Sequence, residues 1–367
     1  MDKSELESEM KRAYRELPLP PGRKKRPNLK WPEDIKVTRE EDKITLHMSE
    51  KAIKSNMQSN ASVFEGWLLV LKWLVYKHCS FSVDFPPGKK GDKHYQRFLL
   101  RLSLFDSLFG NESHHSWFEL SQSMRERLKN DCLYATYRNQ KRLISNTGRG
   151  DRGKGKVNAT NDLNKLSEPE LEWRLCKDGT DANCLKKTFN TGNIYRQFPV
   201  GVFHGKKPHK NNALFPGGKA CVDLVADGEK KSFWIFELKK KKNIPLGILS
   251  ELLFYVKVVR DMIAGRITPW RPTDKDCYNP AELTGKEIIN ACFLAPEFHP
   301  LLMETIINQL NGAFVQLKKR DNMCSVSVVF HKAILGMDNN GKLKVTRIPN
   351  LYDESSCSHS EDSIRVS

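Results

Sequence analysis

Three side chains in the second half of the chain have types and spacing that could do chemistry. Asp223 interrupts the apolar run Cys221-Val222-Asp223-Leu224-Val225, where a carboxylate is costly unless something compensates it. Glu237 and Lys239 close a second apolar run, Phe233-Trp234-Ile235-Phe236. Alternation along a strand sets Glu237 and Lys239 on one face and turns Leu238 to the other. A short turn containing Gly228 joins the two runs, so a hairpin would bring Asp223 and Glu237 to the same end of a sheet. Two carboxylates beside a lysine suit a hard divalent cation, Mg²⁺ or Mn²⁺; magnesium keeps several waters and uses one or two protein carboxylates plus substrate phosphate. Such a cation would stabilise charge on a phosphate and acidify an attacking water, with Lys239 orienting that water or helping to deprotonate it. The plainer reading makes Glu237 and Lys239 same-face neighbours at a solvated strand end. It leaves Asp223 unexplained.

The elements that must position these residues show in the periodicity. Ser167 can cap a helix over residues 167–177, with Glu170 three residues on completing a capping box. Strand patterns follow at 194–203, 220–227 and 231–239, then a long apolar helix over 246–265 and a strand over 288–295. A further helix over 301–314 and a strand over 326–335 complete the half. Upstream, 34–38 and 43–48 alternate like paired strands. Residues 64–77, 94–109 and 118–138 read as three helices whose aromatic residues, Trp67, Trp73, Phe98 and Phe105, are core. This part of the chain carries no chemical signature of its own.

Between Asn146 and Lys165 glycine and charge replace apolar residues, which marks a linker. Gly148 to Lys154 fits the opening of a phosphate-binding loop, but Gly155 stands where Ser or Thr would hold magnesium and no helix pattern follows. Residues 1–33 read as a basic segment without order; its cluster Arg23, Lys24, Lys25 and Arg26 would be a solvated tail, a phosphate contact, or a nuclear address in a eukaryotic host. Residues 348–367 read as a tail without order.

Composition narrows the partners. Lys and Arg number 61 against 44 Asp and Glu, a formal charge of +17, which favours a polyanion. The nine cysteines stand singly, with no C-x-x-C pair, which argues against a disulfide framework and for a reducing, cytoplasmic compartment. The most apolar run, Trp67 to Tyr76, is broken by Lys72 and too short to span a bilayer, so no membrane partner is expected.

The arrangement Asp223…Glu237-Leu238-Lys239 resembles the D…E-x-K motif of the PD-(D/E)XK nuclease superfamily, over roughly residues 165 to 335. The order helix, three strands, helix, strand is similar to that family's core. The resemblance implies a metal-dependent nuclease acting on nucleic acid, DNA ahead of RNA, with Mg²⁺ or Mn²⁺ held by Asp223, Glu237 and the Leu238 carbonyl. An acidic residue of the first helix completes the metal site in the family; Glu172 is the candidate, with Glu168 and Glu170 as alternatives. Glu251 and Tyr255, four residues apart on the helix after the E-x-K strand, are similar to a Q-x-x-x-Y element of some branches, with Glu for Gln. Val222 stands where the family commonly has Pro. Arg196, Gln197, Lys240 and Lys241 are further candidates for contacts to nucleic acid. His204 and His209 fit no metal motif; they lie in a Gly/Lys/Pro-rich loop over 201–212 that could lie along nucleic acid, and His299, before Pro300 at a turn, reads as structural.

The expected fold is α/β (α+β): a mixed sheet flanked by helices, with a restriction-endonuclease-like core over 166–347. A separate, smaller α+β domain over 34–145 precedes it, and 146–165 links the two. The rival reading is a catalytically inactive nucleic-acid-binding or protein-interaction module on the same fold. A homodimer, or a protein partner at the N-terminal domain, is compatible with either.

Overall fold

Helix α1 (Lys3–Glu16) places Leu6, Met10 and Tyr14 at four-residue spacing, and all three are buried. The segment expected to lack order therefore begins with a docked helix, held by one apolar stripe. Arg26 donates to the Tyr14 carbonyl at 2.7 Å and to that of Leu17, so it is engaged by backbone. The computed structural model describes residues 3–19, 25–110, 116–140, 142–146, 160, 162–177, 179–216, 220–240, 246–269, 277–321 and 324–352. Arg23, Lys24, most of the 146–165 linker, Lys241 and the end of the tail lie outside these residues.

Strands β1 (Ile35–Glu40) and β2 (Lys43–Met48) form the expected antiparallel hairpin, and β3 (Ser80–Asp84) joins β2 in parallel. Helices α2 (Glu50–Lys54), α3 (Phe64–Val70, running on into a π turn), α4 (Lys93–Phe109), α5 (Gln122–Asp131) and α6 (Leu133–Gln140) cover this sheet and lead to β4 (Leu143–Ser145). The single helix expected over 118–138 is two: Cys132 adopts an extended backbone (φ −71°, ψ 94°) and breaks it.

Helix α7 (Glu168–Lys177) starts with the expected capping box, in which the Ser167 N–H donates to Glu170 and Ser167 Oγ accepts the Glu170 N–H. Helix α8 (Gly179–Phe189) was not legible in the sequence. Next come β5 (Thr191–Pro199), β6 (Val202–His204), β7 (Cys221–Gly228), β8 (Ser232–Leu238), α9 (Gly247–Ile263), β9 (Ile267–Thr268), β10 (Ile288–Ala295), α10 (Glu304–Arg320), β11 (Ser327–Met337) and β12 (Leu343–Ile348). The strand expected over 194–203 divides after Pro199, and β6 leaves to pair with β4, which also pairs with β9.

Six strands form the main sheet in the order β12-β11-β10-β8-β7-β5. β8, β10 and β11 run parallel, while β7, β5 and β12 each pair antiparallel with a neighbour. The fold is α+β, with mixed sheets flanked by helices. Alternation sends Leu224, Trp234, Phe236 and Leu238 to one face, against α7 and α8. Val225, Phe233, Ile235 and Phe293 line the other, against α9, in a core that continues without interruption into α1, α3 and α4. No helix among the described residues is long and apolar enough to cross a membrane.

Candidate active site

β7 and β8 pair from Leu224–Phe236 to Asp227–Phe233, and the same register continued by one residue sets Asp223 opposite Glu237. There a side chain replaces the ladder: the Leu238 N–H donates to Asp223 Oδ2 at 2.9 Å. β8 continues beside β10, and the Lys239 N–H donates to the Leu294 carbonyl at 2.9 Å. Asp223, Glu237 and Lys239 thus share the sheet face turned to α9. The connecting turn differs from expectation. Gly228 is the last residue of β7, and the turn's left-handed positions are Lys230 (φ 51°) and Lys231 (φ 57°). Gly228 serves close packing instead, since a Cβ there would fall 2.6 Å from the Trp234 indole nitrogen.

The Lys239 ammonium lies 2.5 Å from Glu237 Oε1 and 3.1 Å from Glu251 Oε2. Glu251, on α9, also accepts from Gln58 Nε2 at 2.8 Å. Glu237 and Lys239 are each 2% exposed, and Asp223 is half-buried. Burial pushes Glu237 well above the ordinary carboxylate range, and the charge of Asp223 adds to it while Lys239 opposes it. Burial also raises Asp223, to about 8, against the pull of Lys239. Burial draws Lys239 down, but Glu237, Glu251 and Asp223 outweigh it, so its ammonium is held above its usual range. Tyr255, buried in the same group, is raised by burial and then by Glu237 and Glu251.

Three carboxylates thus surround one ammonium, and Glu237 Oε2 is buried with no hydrogen-bond partner. Three carboxyl groups around one ammonium, two of them held from ionising by burial, with an idle oxygen, is what a site for a further cation looks like electrostatically. Among the described residues, no group of three or more His, Cys, Asp or Glu side chains is arranged to hold a metal ion. Asp223 and Glu237, opposite each other across the β7–β8 register, are the two oxygen donors present, a number that would suit only an ion keeping most of its waters.

The other sequence candidates fall around this centre unevenly. Glu172, 4% exposed, acts electrostatically on Asp223, but its Oε2 accepts from Gln197 Nε2 at 2.8 Å and from Arg196 at 3.3 Å. Arg196 and Gln197, expected to contact phosphate, are accordingly engaged with a carboxylate. Gln197 stands opposite Asp223 in the β5–β7 register with a left-handed φ of 55°, a costly backbone for a non-glycine residue. Glu168 accepts the Lys240 N–H at 3.3 Å and Glu170 belongs to the helix cap. Glu251 and Tyr255, expected to contact nucleic acid, are buried against Lys239 and the carboxylates. His204 packs edge-on against Tyr137.

Two residues facing the centre were missed, Gln58 and Arg97, both from the N-terminal half. Arg97 is 8% exposed and donates to the Ser55 carbonyl at 2.8 Å. Burial and Arg101 pull it down to about 10, while Glu251 and Tyr255 support its charge. The signal existed: Arg97 and Arg101 interrupt an apolar helix pattern four residues apart, as Asp223 interrupts a strand, and Arg101 pairs with buried Glu65. No protein-family model, characterised protein or solved structure matches the chain.

Proposed function

We propose that the chain is a metal-dependent nuclease hydrolysing phosphodiester bonds in nucleic acid, DNA ahead of RNA. The observation that carries this is the convergence of Asp223, Glu237 and Lys239 at one end of the β7–β8 hairpin, with an unpartnered buried oxygen on Glu237. Support for the resemblance to a restriction-endonuclease-like core comes from the element order. α7, with α8 inserted after it, precedes β5, β7 and β8, which form an antiparallel meander with β6 set apart. α9 follows, and β10 returns parallel to β8.

Asp223 and Glu237, with the Leu238 carbonyl, would hold Mg²⁺ or Mn²⁺, and Glu172 would tune Asp223 from α7. When bound, the ion would neutralise charge on the scissile phosphate and acidify a water. Lys239 is held as an ammonium, so its part is to donate hydrogen bonds that orient the water or the phosphate rather than to act as a base. Glu251 fixes the ammonium from the α9 side. The test is cleavage of single- and double-stranded DNA and RNA, with and without divalent cation, by wild type, Glu237→Ala and Lys239→Ala. Each substitution should lower the rate by at least about 100-fold, the scale of losing one preorganised charge-stabilising group. Absence of cation-dependent cutting by wild type on every substrate rejects the proposal.

A second reading is favoured by the sealing of Glu237, Lys239 and Glu251 against one another. In it the chain binds nucleic acid without cutting. Steeply salt-dependent binding with no cleavage would establish that alternative.

A further inference from the structure

We infer that nucleic acid approaches this centre over a basic surface that the two halves of the chain build together. Lys89, Lys90 and Lys93 come from the 86–93 segment at the start of α4, and Lys206, Lys207 and Lys210 from the 205–212 loop. Lys93 Nζ donates to the Lys210 carbonyl at 2.5 Å, so segments 117 positions apart meet. Residues 204–212 contain no acidic side chain. The carboxylate of Asp92 is engaged at the α4 N-cap, accepting from the His94 N–H at 2.8 Å and the Tyr95 N–H at 3.3 Å. On the other side of the loop, the Gly205 N–H donates to the Arg142 carbonyl at 3.0 Å, and Arg142 is itself exposed.

The surface is joined to the centre through α4. Lys93, Arg97 and Arg101 follow one another at four-residue spacing, on one face of the helix. Lys93 lies in the basic surface, Arg97 acts on Glu251 and Tyr255, and Arg101 ends the row against Glu65. A row of cations running from exposed lysines to the carboxylate centre suits a phosphate backbone, which is gripped by charge without regard to sequence. The inference rests on the nuclease reading of that centre.

The full chain is tested by fluorescence anisotropy with labelled single- and double-stranded DNA in chelator, so that binding is read without cleavage. One variant carries Lys206→Gln, Lys207→Gln and Lys210→Gln. A control carries Lys187→Gln, Lys319→Gln and Lys344→Gln, equally exposed and removing the same charge. The loop variant should bind at least about tenfold more weakly near physiological salt, with the slope of log affinity on log salt reduced by about 2 to 3; the control should change neither. Equal loss in both variants, unchanged binding in the loop variant, or no DNA binding by wild type overturns the inference. Wild type that binds through the loop and never cuts rejects catalysis alone. Cleavage with binding unaffected by the loop variant rejects the surface alone.

Discussion

Lys239 sits between Glu237 and Glu251 with Asp223 close by, so three carboxyl groups share one ammonium. Asp223 is raised by burial to about 8, against about 3.9 for a free aspartate. Between those values the folded chain binds a proton that the unfolded chain has released. In chelator, stability should therefore fall as pH rises from about 4 to about 8. Mg²⁺ should offset the loss, raising the melting temperature more at pH 8 than at pH 5, and Asp223→Asn should reduce both dependences, leaving the part due to Glu237. Equal shifts at the two pH values, measured by thermal melting, would remove the cation from Asp223. Glu251→Gln tests the positioning of Lys239. It keeps shape while removing one charge and one of the two acceptor oxygens, so the rate should drop about 10- to 100-fold, as for other groups that orient a ligand from behind. An unchanged rate would leave Glu251 a structural role.

At the level of elements, the hairpin that carries the centre turns through two left-handed lysines, Lys230 and Lys231. A turn of this kind favours Asn-Gly, and each L-residue there costs about 1–2 kcal/mol. Lys230→Asn with Lys231→Gly should raise the melting temperature by a few degrees, while Gly228→Ala, driven against the Trp234 ring, should lower it. A melting temperature unmoved by the paired change would mean the turn is not strained. The strands themselves were legible as apolar runs, one interrupted by charge at Asp223 and one closed by it at Glu237, which is a local pattern. Helix α8 was not, since only Ala182, Leu185 and Phe189 mark its buried stripe and a charged residue, Asp181, is buried among them. The kink at Gln197 left no sign either, because a glutamine does not announce a left-handed backbone. The contact of Gln58 with Glu251 spans 193 positions and has no periodicity to betray it.

At the scale of the molecule, α9 decides how far the two halves are separable. All of Gly247–Met262 is buried, and its partners come from both sides of the 146–165 segment. Ser250 donates to Glu65 at 2.8 Å, Gln58 donates to Glu251, and Tyr134 donates to Asp261. At the N-terminus of α9 a Cβ on Gly247 would fall 2.5 Å from the Gln58 backbone, so the two surfaces meet without room for one added carbon. One apolar core runs from Leu6 to Phe330. Removing residues 1–159 would expose the N-terminal-facing side of α9 and strip buried polar groups of partners, Glu251 of Gln58 and Asp261 of Tyr134, each such loss costing about 1–3 kcal/mol or more. The fragment 160–352 should therefore be insoluble, or melt without a cooperative transition. The full chain should unfold in one calorimetric step in which the enthalpy matches its van't Hoff value. A soluble fragment that melts cooperatively near the temperature of the full chain would show the halves to be independent, and would return Gln58 and Arg97 to the role of neighbours rather than walls of the site.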